Sequence, residues 1–304
     1  MDLEKILSGK PLAKLIQSKI KFLIAQEGIQ PKMLLIQVGE DPASSYYVQN
    51  IINIGNKLGC EVLYNQYPAN FTPEDLLTVL DYANTDPSIN GIMLQKPLPP
   101  SFDELKIAES INPQKDIDCL HPINLGHIIL EKDGLVPCTP LAVIYILRYY
   151  KIEVEGKHIV IIGRSSIVGK PLANMFLWKK PYANATVTVC HSRTKNLKDI
   201  TCSADILIAA LGKPSFVKEE MIKPESVLID VGINQITDKD GNQFYVGDID
   251  YNSCFDKVNA ITPVPGGIGS ITTSLLFLNL LKACFTARHI NKSIDDFLNY
   301  ILFE

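Results

Sequence analysis

The chain has 304 residues, 46% of them hydrophobic and 20% charged, with a formal net charge of −4. That length predicts about two domains, and charges of interspersed sign make no electrostatic case for a nucleic-acid partner. Met1-Asp2-Leu3-Glu4-Lys5 lacks the apolar centre of a leader, and the later apolar runs read as too short for a membrane span, so a cytoplasmic chain without a membrane partner is expected. The seven cysteines are odd in number and never spaced C-x-x-C, which predicts reduced thiols and no metal site.

The first half alternates helix and strand. Leu12 to Ala25 has helical periodicity and stops at Gly28, and Met33 to Val38 reads as a strand. Ser44 to Leu58 is a predicted helix ended by Gly59, Glu61 to Tyr64 a strand, Pro73 to Asn84 a helix and Gly91 to Gln95 a strand. Gln95-Lys96-Pro97-Leu98-Pro99-Pro100 leaves that strand as a proline-stiffened loop. Lys115-Asp116-Ile117-Asp118-Cys119-Leu120-His121-Pro122 follows. In Val136-Pro137-Cys138-Thr139-Pro140, Thr139 is placed to cap a helix beginning at Pro140.

The second half opens on a buried strand, His158 to Ile162, running into Gly163-Arg164-Ser165-Ser166-Ile167-Val168-Gly169 and an apolar helix pattern. This is the plan of a phosphate-binding βα turn, with amides at the helix start to hold a pyrophosphate. It departs from G-x-G-x-x-G, since Ser165 and Val168 stand at the second and third glycine positions and Gly169 follows one residue late. Alone, it is equally a glycine turn that binds nothing. The next strand, Ala185 to Cys190, ends in His191-Ser192-Arg193-Thr194, where an NAD site usually places an acid. Hydroxyls and an arginine here, with Arg164 from the first turn, suit a 2′-phosphate and hence NADP. Asp205 to Ala210 and Ser226 to Val231 are two more strands, ending in turns at Gly212 and Gly232, which together predict a doubly wound sheet. Thr262-Pro263-Val264-Pro265-Gly266-Gly267 is a rigid loop before an apolar helix, Ile271 to Phe285.

Seven segments in order resemble the bifunctional methylenetetrahydrofolate dehydrogenase/methenyltetrahydrofolate cyclohydrolase family across essentially the whole chain. They are Asp41-Pro42-Ala43-Ser44 with Tyr47; Gln95 to Pro99; Lys115 to Asp118; Pro137 to Pro140; Gly163 to Pro171; Cys190 to Thr194; and Thr262 to Gly267. The resemblance implies an α/β fold of two lobes about a cleft. Residues 1–140 plus 271–304 would form a folate-binding catalytic lobe, and 141–270 a Rossmann-like NADP-binding domain, usually in a homodimer. It places Asp118 on the pterin, Tyr47 beside the folate and Gln95 near the reacting carbon, with Pro263, Pro265, Gly266 and Gly267 lining the pocket. Plainer readings are a helix cap or ion pair for Asp118, a half-buried aromatic for Tyr47 and a strand-end amide for Gln95. Gly163, Arg164, Ser165, Val168, Gly169, His191, Ser192, Arg193, Gly212 and Gly232 would serve the dinucleotide.

One departure bears on activity. Bifunctional members carry a lysine one helical turn after the tyrosine; this chain has Ile51, four residues from Tyr47 and on its helix face. Lys57 does not substitute, being six residues on, a rotation of roughly 240° and a rise of about 9 Å. Lys96 is the remaining candidate relay, although a solvated lysine is the plainer reading. Ala142, Ser270 and Ile271 also stand where the family has Gly, Pro and usually Met. Hydride transfer moves no proton, whereas ring opening of the methenyl cation takes a proton from water, so the expectation is a dehydrogenase with weak or lost cyclohydrolase activity. Two rival expectations are a fully bifunctional enzyme relaying through Lys96 and a catalytically silent folate- or NADP-binding partner protein.

Overall fold

The structure, a computed structural model, describes residues 5–40, 42–237, 239 and 241–290, and of residues 42–46 the backbone alone. In chain order the elements are α1 (Gly9–Glu27), β1 (Lys32–Val38), α2 (Pro42–Leu58), β2 (Glu61–Tyr67), α3 (Pro73–Thr85), β3 (Gly91–Leu94), α4 (Glu104–Glu109), α5 (Pro122–Ile129) and α6 (Cys138–Tyr149). There follow β4 (His158–Ile162), α7 (Gly169–Phe176), β5 (Thr186–Cys190), α8 (Leu197–Thr201), β6 (Ile206–Ala209), β7 (Val227–Asp230), β8 (Asn234–Thr237), β9 (Gln243–Val246), α9 (Tyr251–Cys254), β10 (Ala260–Ile261) and α10 (Gly269–Ala287). The chain divides into one unit of Met1–Lys14 with Thr139–Thr272 and another of Leu15–Cys138 with Thr273–Glu304, so the boundaries fall inside α1, α6 and α10. Residues 5–14 thus group with the Rossmann-like unit rather than with the lobe to which 1–140 was assigned. The reason is local pairing: Leu7 N donates to Ile261 O at 2.9 Å and Ile261 N to Lys5 O at 2.9 Å, extending a sheet edge.

The unit of Leu15–Cys138 with Thr273–Glu304 is built on a parallel three-stranded sheet in the order β2-β1-β3. β1 is buried at six of its seven positions because it is central, while the edge strand β2 is half exposed. Alternation sends Leu34, Ile36 and Val38 to one face, where they pack with Leu76 and Leu80 of α3. The other face meets α10: a Cβ on Gly91 of β3 would lie 2.9 Å from Leu280, and one on Gly55 of α2 would lie 3.0 Å from Phe277. α10 has an 18-residue window of mean hydropathy 1.3, 72% of it buried in the protein. This corrects the expectation that every apolar run is too short to span a membrane; the helix is apolar all round because it is core.

The other unit holds a parallel five-stranded sheet in the order β5-β4-β6-β7-β10, a doubly wound arrangement in which the chain reverses direction about β4. β4 is Val- and Ile-rich and buried at four of five positions, as a central strand must be. The turn after it is fixed by sterics. Gly163 has φ +137 and a Cβ there would sit 2.2 Å from Ala210 O, while a Cβ on Gly169 would sit 2.1 Å from Gly163 O. Gly169→Ala is therefore expected to cost about 3 kcal/mol by forcing α7 off the turn, read as a lowered midpoint in urea unfolding. An unchanged midpoint would contradict this packing.

One expectation about elements is corrected. α6 begins at Cys138, so Thr139 lies in its first turn instead of capping a helix at Pro140; a proline is tolerated there because first-turn amides have no intrahelical acceptor. The sequence reading contains no counterpart of the antiparallel hairpin β8-β9, whose strands are four residues each, the first alternating intermediate and exposed and the second exposed at three of four positions.

Candidate active site

In the unit carrying the three-stranded sheet, side chains from four segments converge. Tyr47 and Ile51 stand one turn apart on α2, and Ile51 is fully buried with Val48 on that helix's inner face. Of the motif before them, Asp41 lies outside the described residues, as do the side chains of Pro42, Ala43 and Ser44. The Tyr47 hydroxyl is hydrogen-bonded to Thr273 of α10, and its neighbours include Cys138 and Asp118. Burial, then those two groups, raises its pKa far above the ordinary tyrosine value, so it is a neutral phenol. Burial pushes Asp118 up to about 7 and the Asp116 carboxylate adds to this, while the Lys96 ammonium pulls it down.

The loop presenting Asp118 is built by its neighbours. Lys115 Nζ donates to Ala83 O at 2.8 Å and Asp86 O at 2.7 Å, closing the C-terminal end of α3. Asp116 is buried and accepts from Leu120 N at 3.0 Å, His121 N at 2.8 Å and Asn124 Nδ2 at 2.8 Å. His121 caps α5, its Nδ1 accepting from Ile123 N at 3.0 Å. Asn279, fully buried on α10, donates to Ile117 O and to Val136 O, both at 2.8 Å, and so ties the Asp118 loop to the Cys138 loop. Sequence reasoning missed Thr273 and Asn279. Polar residues interrupting an apolar run, Asn279 above all, were the available signal.

Gln95 closes β3, buried, with Nε2 donating to Lys96 O at 2.8 Å. Lys96 is ion-paired with Glu104 at 2.7 Å across a half-exposed surface. Pro263, Pro265, Gly266 and Gly267 are carried by the other unit, not by the one that gathers Tyr47, Gln95 and Asp118. There Gly266 has φ +110 and accepts through its carbonyl from Gly9 N at 2.8 Å. Pro263 also borders a cavity of ≈ 430 Å³ whose walls include Asp230, Gly247 and Tyr251.

In that unit the C-terminal ends of β4 and β5 lie side by side, Ile162 against Cys190. Their turns present Arg164, Ser192 and Arg193 to solvent as a set of cations and a hydroxyl, a donor set suited to phosphate. The second turn is held by His191 and Thr194: His191 N donates to Thr194 Oγ1 at 2.9 Å, and His191 Nδ1 accepts from Arg193 N at 3.2 Å. Ser165 braces the turn after β4. Its hydroxyl accepts from Val168 N at 3.1 Å and Gly169 N at 3.5 Å, and its carbonyl from Lys170 N at 3.1 Å. The first amides of α7 are satisfied internally. The close Gly163 and Gly169 contacts and this donor set fit a phosphate-bearing dinucleotide.

The tetrahydrofolate dehydrogenase/cyclohydrolase catalytic-domain family matches residues 7–118, and the NAD(P)-binding domain of the same family matches residues 137–288. The bifunctional protein FolD of Chlamydia felis is 43% identical over 276 residues, 90% of this chain and 96% of that protein. Among solved structures, the bifunctional 5,10-methylenetetrahydrofolate dehydrogenase/cyclohydrolase of Thermoplasma acidophilum is 40% identical with a TM-score of 0.87, covering 94% of this chain and 100% of that one. The Trypanosoma brucei N5,N10-methylenetetrahydrofolate dehydrogenase-cyclohydrolase, solved with NADP and an inhibitor, is 33% identical with a TM-score of 0.87, covering 96% and 100%.

Proposed function

From the premise that this chain belongs to the tetrahydrofolate dehydrogenase/cyclohydrolase family, we propose that it oxidises 5,10-methylenetetrahydrofolate with NADP and has lost most of the family's cyclohydrolase activity. The observation that carries the reading is the fully buried Ile51, one helical turn from Tyr47. When bound, NADP would supply the hydride acceptor for the folate methylene carbon, the folate nitrogens stabilising the cation that results. The chain supplies alignment for that step. Asp118 accepts from the pterin N–H groups, Gln95 holds the region of the reacting carbon, and Tyr47 lies beside the ring as a neutral phenol. Ring opening needs more: water must lose a proton and the departing nitrogen must gain one. An isoleucine transfers none.

The assay follows NADPH formation from methylenetetrahydrofolate and, separately, decay of supplied methenyltetrahydrofolate above its uncatalysed hydrolysis. NADPH formation without accelerated decay is the expected result, and accelerated decay at a rate comparable to hydride transfer overturns the specialised reading. A second reading keeps both activities through Lys96, supported by the pull of its ammonium on the Asp118 carboxyl. In that case Lys96→Ala abolishes the ring-opening signal.

For the dinucleotide, Arg164, Ser192 and Arg193 receive the 2′-phosphate. Arg164→Ala is expected to raise the KM for NADP roughly tenfold to a hundredfold, the loss of a charge-assisted contact, with the KM for NAD nearly unchanged. Equal effects on both cofactors would remove Arg164 from this role. The family resemblance extends the reading to a cytoplasmic homodimer.

A further inference from the structure

Two buried carboxylates, Asp230 at the end of β7 and Asp248 just after β9, build a chain of hydrogen bonds to the loop after β6 that the proposed function does not use. Asp230, 3% exposed at the end of β7, accepts from Gly232 N at 3.0 Å, Asp248 N at 2.9 Å and Ile249 N at 2.8 Å. That grip fixes the backbone after β9 and aims Asp248, itself 0% exposed, at the loop after β6. The Asp248 carboxylate accepts from three successive amides, Leu211 at 2.5 Å, Gly212 at 3.0 Å and Lys213 at 2.8 Å, and from Asn234 Nδ2 at 2.9 Å.

Two glycines make room for the pair. A Cβ on Gly247 would lie 1.9 Å from Asp230 Oδ2, and one on Gly232 would lie 2.2 Å from Asp248 Oδ1. Gly212 and Gly232, expected to serve the dinucleotide directly, are thus engaged by Asp248: the first donates its amide to it, the second leaves space for it. Burial, opposed by the amides it accepts from and reinforced by the Asp248 charge, pushes Asp230 up to about 7.

The position of the held loop gives these bonds a consequence. In a doubly wound sheet the ligand lies at the carboxyl ends of the strands where the winding reverses, here between β4 and β6. The loop after β6 is one wall of that crevice, and its first residue, Ala210, abuts Gly163 of the phosphate turn through its carbonyl and donates to Ile162 O at 2.9 Å. We propose that Asp248 is a positioning residue for NADP, setting the cofactor wall by locking Leu211, Gly212 and Lys213 through their amides. The proposal rests on the NADP reading of this unit. It does not require Asp248 to touch the cofactor.

The test is Asp248→Asn, which keeps side-chain size but turns an amide nitrogen toward amide donors. NADP binding is measured by calorimetry on the full-length wild type and variant, with KM for both substrates. The expected result is a rise of tenfold or more in the Kd and KM for NADP, a folate KM within twofold of wild type, and faster hydrogen exchange at Leu211–Lys213. A folded variant with unchanged NADP affinity overturns the proposal, as does a parallel rise in both KM values, which marks a merely structural loss. If Asp248→Asn does not yield folded protein, Asn234→Ala removes one bond to the same carboxylate; it is expected to raise the NADP KM twofold to fivefold with folate KM constant, and no change overturns the proposal. Failure of the wild type itself to bind NADP would refute the underlying reading instead.

Discussion

Replacing Ile51 by lysine is expected to raise the rate of methenyltetrahydrofolate ring opening by roughly a hundredfold to ten-thousandfold, the usual contribution of a positioned acid–base group. Hydride transfer should change far less, because no proton moves in it. The site is suited to the experiment: position 51 is fully enclosed and on the Tyr47 face of α2, so an ammonium placed there is desolvated and its pKa falls toward neutrality, where a relay works best. The same burial has a cost, about 3 kcal/mol of folding stability, read as a lower thermal midpoint. Ile51→Met is the control, keeping the volume with no change in either activity. A folded, dehydrogenase-active Ile51→Lys protein without any gain in ring opening would place the deficit elsewhere in the site.

Loss of the Asp118 carboxylate should be the most damaging single change to folate turnover. Asp118→Ala removes charge-assisted bonds to pterin N–H groups, each worth about 1.5–3 kcal/mol, and is expected to lower kcat/KM by about a hundredfold or more. Because its pKa stands at about 7, the wild-type kcat/KM should rise with pH through that value and then level off, as the carboxyl becomes the acceptor form. Asp118→Asn should abolish the step. The effect on stability has the opposite sense. The folded chain holds this proton up to about pH 7 while the unfolded chain releases it near 3.8, so the Asp118 contribution to stability is complete below about 3.8 and is lost as pH rises to about 7. Asp118→Asn should therefore gain stability relative to wild type between those limits, with no further gain above. Thermal midpoints of both proteins at about pH 5 and pH 8 measure this; a difference that does not grow with pH would mean the carboxyl is not held protonated.

The elements were legible where periodicity and punctuation coincide. β4 is the predicted His158–Ile162 to the residue, because a run of β-branched residues ahead of a required glycine admits little else. α3 begins at Pro73 as expected, since Thr72 accepts from Asp75 N at 3.1 Å and proline suits the first turn. The tight packing at Gly163 and Gly169 agrees with their reading as turn glycines, and the isoleucine at position 51 is a fact of sequence alone.

What the sequence did not disclose is which distant groups hold the buried acids and the turn glycines. In Lys115-Asp116-Ile117-Asp118 the resemblance singles out Asp118 and gives Asp116 no task; the structure shows Asp116 accepting from Leu120 and His121 of its own loop and from Asn124 of α5, while Asp118 sits among Tyr47, Cys138 and Lys96. Gly212 and Gly232 read as ligand glycines, and tertiary packing makes them partners of a buried aspartate 36 and 16 residues away in sequence. Local periodicity determines strands, helices and their order, because those depend on neighbours within a few residues. The partner of a buried polar group is chosen by whichever distant backbone the fold brings within hydrogen-bonding distance, so only the tertiary structure decides it.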